Sequence, residues 1–86
     1  MNTDHLNMAP VGEVARGTMS LVNVLQNMPA HIQVASVTSL FLLLSEFRQV
    51  KPQDAFQVAS NIMNHADGRR PEFVAARAYM DGELEP

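Results

Sequence analysis

Residues 40–44, Leu40-Phe41-Leu42-Leu43-Leu44, are the stretch that decides the fold of this 86-residue chain. They lie inside residues 29–50, which contain no glycine and no proline after Pro29. Consecutive apolar side chains on a helix point in all directions, so a core on one side cannot cover all of them. The stretch therefore predicts a long helix that other helices, or a second protein, must cover on more than one side.

Composition limits the chain to one small domain, because 86 residues are too few for two domains of ordinary size. The chain has no cysteine, so we expect neither disulfide bonds nor thiolate chemistry. The formal net charge of −3 disfavours non-specific binding to nucleic acid, which requires concentrated positive charge. Residues 1–8 lack the basic and apolar regions of a secretory signal, and we expect a cytoplasmic protein.

Four helices are predicted, over residues 10–28, 29–50, 52–67 and 71–81. A proline stands at the start of each, where its fixed φ and missing N–H are tolerated. Gly68 and Gly82 are stop signals for the last two, and no alternating pattern predicts a strand. We expect a small all-α, four-helix domain over residues 10–82, with a flexible arm before it (1–9) and an acidic tail after it (83–86).

The apolar residues of the predicted helix 29–50 spread over about 200° of its circumference, about twice the sector of an ordinary surface helix. At about 33 Å it would span a compact domain of this size, so we expect it at the centre with the other helices around it. Three short neighbours are too few to cover such a sector, which favours self-association. Leu42 lies outside the sector, and it is either a singly exposed leucine or a partner contact.

A membrane span is a second way to cover residues 29–50, since about 33 Å is enough to cross a bilayer. The segment carries nine polar side chains, which are costly in lipid. We therefore expect no membrane span.

Residues that could carry catalysis are few and scattered. The histidines His5, His31 and His65 do not stand at metal-ligand spacing, and no serine lies in a nucleophile-elbow context. The glycines form no phosphate-binding loop. We expect no enzymatic activity, no catalytic residue, no metal and no cofactor.

The basic loop around Arg69 and Arg70 has two interpretations. It is an electropositive patch for an acidic or phosphate-bearing partner, which makes a nucleic-acid-associated regulator the alternative function. In the other interpretation the two arginines bind the last carbonyls of the preceding helix and pair with nearby carboxylates. The net charge makes nucleic acid the less favoured partner.

Three motifs lie in residues 44–84: Pro52-Gln53-Asp54-Ala55-Phe56, Asp67-Gly68-Arg69-Arg70-Pro71-Glu72-Phe73 and Ala78-Tyr79-Met80. With these motifs, about half of the chain resembles small accessory proteins of tailed bacteriophages. The resemblance implies a protein that is made during infection and acts by binding, often to a host factor. It supplies no catalytic residues.

These patterns together predict a non-catalytic protein–protein interaction module that binds a partner and inhibits or redirects it. Its docking face comes from the helix 29–50 together with the helix 10–28, and the same surface is expected to form a homodimer. Large apolar groups and nearby arginines usually supply most of the binding energy. The residues expected to bind the partner are Phe41, Leu42, Phe47, Arg48, Arg69, Arg70 and Tyr79.

Overall fold

The computed structural model of the chain describes residues 1–84, which form five helices and one short hairpin. The helices are α1 (Thr3–Asn7), α2 (Val11–Leu25), α3 (Ala30–Phe47), α4 (Pro52–Met63) and α5 (Pro71–Glu83). Strands β1 (Asn64–His65) and β2 (Gly68–Arg69) pair antiparallel between α4 and α5. The prediction of a small all-α domain with a long apolar helix in the middle of the chain is confirmed.

Proline sets the start of each of the four longer helices, as predicted. Pro10 and Pro29 have extended backbone just before α2 and α3, and Pro52 and Pro71 are the first residues of α4 and α5. The ring fixes φ near its helical value and removes an N–H that would lack an intrahelical partner. The helix starts are thus encoded locally.

The end of α3 was predicted at residue 50 and lies three residues earlier. Gln49 adopts a left-handed backbone with φ of 56°. The Val50 N–H donates to the Ser45 carbonyl at 2.9 Å, and the Gln49 N–H donates to the Glu46 carbonyl at 3.1 Å. These two bonds form a Schellman motif, which ends a helix whatever follows it. Glutamine is an uncommon residue at this position, so the sequence carried no signal for it.

The third predicted helix, 52–67, also ends early, and the expectation that the chain has no strand is corrected. After Met63 the chain turns into the β1–β2 hairpin, in which Asn64 pairs with Arg69 and His65 with Gly68. Gly68 has φ of 126°, a backbone conformation that glycine adopts without strain. Ala66 and Asp67 form the turn between the paired residues, and Gly68 follows it as the first residue of β2, so the chain reverses here although the preceding residues have a helical pattern.

The segment predicted as an arm, residues 1–9, contains the short helix α1, so the expectation of no regular structure there is corrected. Asn2 caps it, because its side-chain oxygen accepts a hydrogen bond from the His5 N–H at 2.7 Å. Leu6 of α1 packs against the hydrophobic core. The amino group of Met1 donates to the Arg48 carbonyl at 3.0 Å, which links this segment to the end of α3. Of the predicted acidic tail, Glu85 and Pro86 lie outside the described residues.

The hydrophobic core is formed mainly by α2, α4 and α5. Its buried residues are Ala15, Val58, Ile62, Phe73 and Ala76, and side chains from α1 and the α1–α2 connection pack against them. Helix α3 supplies no member of this cluster. The radius of gyration, 13.4 Å, exceeds the value of about 12 Å typical of a compact domain of this length. Because α3 contributes nothing to this cluster, its neighbours cover it on one side at most.

Candidate interaction surface

Helix α3 is exposed along almost its whole length. Of its 18 residues, all within the described part of the chain, Ser45 alone is buried. Eight large apolar side chains of α3 are exposed, and they are Ile32, Val34, Val37, Leu40, Leu42, Leu43, Leu44 and Phe47. Water-exposed apolar surface of this extent is typical of an interaction site.

Helix α3 is attached to the rest of the domain near both of its ends. Near the start, the Gln33 side chain donates hydrogen bonds to the carbonyls of Leu25 and Met28, both at 3.0 Å. Near the end, half-buried Phe41 and buried Ser45 line a cavity with Leu6. These contacts fix the orientation of α3 and leave open the side opposite Phe41 and Ser45.

The open side carries a row of residues that we call the outer stripe: Ile32, Ser36, Leu40, Leu43 and Phe47. At 100° per residue these five positions fall within about 80° of the helix circumference. Leu43 is 63% exposed and Phe47 is 74% exposed, although both belong to the most apolar segment of the chain. The Arg48 guanidinium lies 5.1 Å from the centre of the Phe47 ring, a cation–π distance. The stripe thus has an aromatic end bordered by a cation.

A groove borders α3 on another side. Its volume is about 340 Å³, and it lies where α2, α3 and the end of α5 meet. Apolar side chains dominate its lining, among them Leu21, Leu25, Val34, Val37 and Met80. The groove thus places apolar surface of α2 and α3 side by side, and its use as a docking face stays a prediction.

The total accessible surface of the chain supports an uncovered interface. It amounts to 6443 Å², whereas a compact monomer of this mass exposes roughly 5,000 Å². The excess is about 1,400 Å² per chain, and stable interfaces bury about 800 Å² or more per partner. The uncovered area is thus large enough for a permanent interface.

The predicted partner-binding residues on α3 differ in their surroundings. Phe47 and Arg48 lie together at the exposed end of the helix. Leu42 is 49% exposed, but it is about 100° around the helix from Leu43 and outside the outer stripe. Phe41 faces the core side, where it shares a cavity with Leu6 and core residues of α4.

Arg69 and Arg70 lie in the hairpin segment between α4 and α5. Arg69 is exposed, whereas the Arg70 guanidinium is turned towards α4, with Nη2 at 3.5 Å from the Asn61 carbonyl. The Arg70 Nε is buried and has no hydrogen-bond partner among the described residues. Arg70 therefore fits the interpretation in which it lies near the last carbonyls of the preceding helix.

Tyr79, the remaining predicted residue, is half-buried between α5 and α2. Its hydroxyl donates a hydrogen bond to the side-chain oxygen of Asn23. This contact joins two helices of the core and gives Tyr79 a structural role.

Sequence reasoning did not single out Leu40 and Leu43, the two leucines of the outer stripe. The wide apolar sector of the helix contained both of them. The sequence does not show which part of that sector the neighbouring helices cover, because this depends on tertiary packing. The structure shows that the covered part is the side of Phe41 and Ser45.

Helix α3 also meets the length and composition of a membrane-crossing helix, with a mean hydropathy of 1.3 over 18 residues. Among residues 1–84, no group of three histidine, aspartate or glutamate side chains is placed to hold a metal ion. No protein-family model, curated protein or solved structure matches the chain.

Proposed function

We propose that this protein is a non-catalytic protein–protein interaction module that self-associates as a homodimer through α3. One observation carries the proposal: the longest and most apolar helix of the chain has a single buried residue. We favour a second copy of the chain as the partner that covers α3, because the excess surface of about 1,400 Å² per chain would give two copies an interface of obligate-dimer size.

The chemistry of the outer stripe favours a protein surface as its partner. Binding energy at interfaces concentrates in large apolar and aromatic groups that are fully buried in the complex, with arginine common beside them. Leu43 and Phe47 supply the apolar groups and Arg48 the neighbouring cation. The stripe includes no charged residue, so its burial requires no charge to be desolvated.

A lipid bilayer is a less suitable environment for α3. Contacts of Gln33 and Ser45 attach the two ends of the helix to the folded domain, and a helix that crosses a bilayer would lose these contacts. The carboxylate of Glu46 and the polar side chains of Ser36 and Ser39 would also enter the apolar phase, at considerable cost. A water-soluble protein partner leaves the contacts of Gln33 and Ser45 intact and keeps Glu46 out of an apolar phase.

The resemblance of residues 44–84 to phage accessory proteins extends the proposal. In that setting the protein acts in the cytoplasm of the infected cell, and the dimer inhibits or redirects a host protein by covering part of its surface with the apolar groove between α2 and α3, which lies outside the outer stripe. No catalytic group is required for this mechanism, because steric exclusion alone blocks a binding site. The nucleic-acid alternative stays a prediction of the sequence, and the position of Arg70 against α4 does not favour it.

Sedimentation velocity over a dilution series tests the proposal. We expect a species of twice the 9.5 kDa chain mass that dissociates on dilution without unfolding. A strictly monomeric protein at high micromolar concentration would contradict the homodimer.

Flotation with phosphatidylcholine–phosphatidylglycerol vesicles provides the second arm of this experiment. We expect the protein to stay in the dense fractions, because its apolar face is covered by a second copy. Co-flotation of most of the protein with the vesicles would show instead that α3 enters lipid, and the proposal would be wrong.

A further inference from the structure

We infer that the two copies pair through their outer stripes with the two α3 helices antiparallel. The inference rests on the self-association proposed above and adds its geometry. It follows from an uneven distribution of side-chain size along α3, from the absence of charge in the stripe and from the symmetry of a closed pair.

Side-chain size changes abruptly at the middle of α3. Residues 30–39 are small, β-branched or polar and include no leucine or phenylalanine, whereas residues 40–47 include four leucines and two phenylalanines. In the outer stripe the first half contributes Ile32 and Ser36, and the second half contributes Leu40, Leu43 and Phe47. Where side-chain size varies along a contact, two helices pack at even spacing when large side chains of one face smaller side chains of the other.

An antiparallel pair centred between Ser39 and Leu40 meets this condition better than a parallel pair. The stripe then places Ser36 of one copy opposite Leu43 of the other, and Ile32 opposite Phe47. A parallel pair would instead put each residue opposite itself, so that Phe47 meets Phe47 at one end and Ser36 meets Ser36 near the middle. The first arrangement fills the contact evenly, and the second leaves a gap beside a crowded end.

Electrostatics and symmetry agree with the antiparallel arrangement. No charged residue lies between His31 and Glu46, so the middle of the pair brings no like charges together. Antiparallel helices also place the positive end of each dipole beside the negative end of the other. A two-fold axis across the stripe uses the same surface on both copies, which closes the assembly at two chains.

Disulfide crosslinking distinguishes the two orientations, and the chain has no cysteine to interfere. The variants Ser36→Cys and Leu43→Cys are made separately, one of them with a longer tag, and are mixed after denaturation and refolding. Both positions are exposed in the single chain, so folding is checked simply by circular dichroism. Positions 36 and 43 are about 10 Å apart along the helix axis, beyond the Cα separation of about 7 Å that a disulfide spans.

We expect oxidation of the mixture to link Ser36→Cys to Leu43→Cys, in several-fold excess over either crosslinked homodimer. Ser36→Cys alone should give almost no crosslink, although it sediments as a dimer. Efficient crosslinking of Ser36→Cys to itself would show parallel helices and overturn the inference. A dimer that yields no crosslink in the mixture would place the contact outside the stripe and overturn it equally. A monomeric wild type would remove the proposed self-association itself, so the two failures are distinguishable.

Discussion

The outer stripe makes a quantitative prediction for Leu43→Ala. Leu43 is 63% exposed in the single chain and becomes buried in the proposed dimer. Full burial of a leucine side chain is worth about 1.5–3 kcal/mol, so truncation of this partly exposed one should cost roughly 1–2 kcal/mol per copy. The dimer contains two copies, and the loss of about 2–4 kcal/mol should raise Kd roughly 30- to 1,000-fold.

Leu42→Ala is the matched control for this change. Leu42 is the adjacent leucine and is 49% exposed, but it lies outside the stripe. Alanine is a good helix former, so neither variant should destabilise α3 itself. Sedimentation velocity of each variant over the same dilution series gives the two Kd values. Equal weakening by both variants, or by Leu42→Ala alone, would refute the assignment of the interface to the stripe and would favour Leu42 as the partner contact.

Three further predictions concern the single chain. Gln49→Gly should stabilise the fold by about 1 kcal/mol and raise Tm by roughly 4–8 °C, because glycine adopts the left-handed conformation without strain. The control variant Gln57→Gly, inside α4, should lower Tm. Phe73→Ala should lower the free energy of unfolding, measured by chemical denaturation, by about 3–5 kcal/mol, because Phe73 is 6% exposed in the core. The control Phe56→Ala, at a 70% exposed position, should change it by less than about 0.5 kcal/mol. Tyr79→Phe should cost about 0.5–1.5 kcal/mol, and an unchanged unfolding midpoint would show that its bond to Asn23 contributes nothing.

The parts of the fold that depend on local chemistry could be predicted from the sequence. The prolines that begin the four longer helices and the apolar periodicity of α2 and α4 are signals within a few residues of the structure they determine. The ends of helices were less predictable. Gln49 takes a left-handed conformation that glycine usually adopts, and the Ala66-Asp67 turn followed by Gly68 replaces the last predicted turn of α4 with a hairpin.

The candidate surface could be predicted only in outline. The wide apolar sector of α3 showed that some of it would be left uncovered, but the sector itself cannot tell Phe41 from Leu43. That distinction arises because α1 and α4 pack on the side of Phe41 and Ser45, a long-range contact. Tyr79 and Arg70 were predicted to bind a partner. In the structure each of them contacts a residue of the same chain that is distant in sequence, and local sequence patterns do not reveal such contacts.

Hydroxyl-radical footprinting of the wild-type protein tests the central claim, the burial of the outer stripe, most directly. Phe47 is 74% exposed in the single chain and Phe56 is 70% exposed, so Phe56 on α4 serves as an internal reference of the same residue type. As protein concentration rises, we expect the oxidation of Phe47 to fall several-fold while that of Phe56 stays constant. Equal oxidation of the two phenylalanines at every concentration would contradict the account.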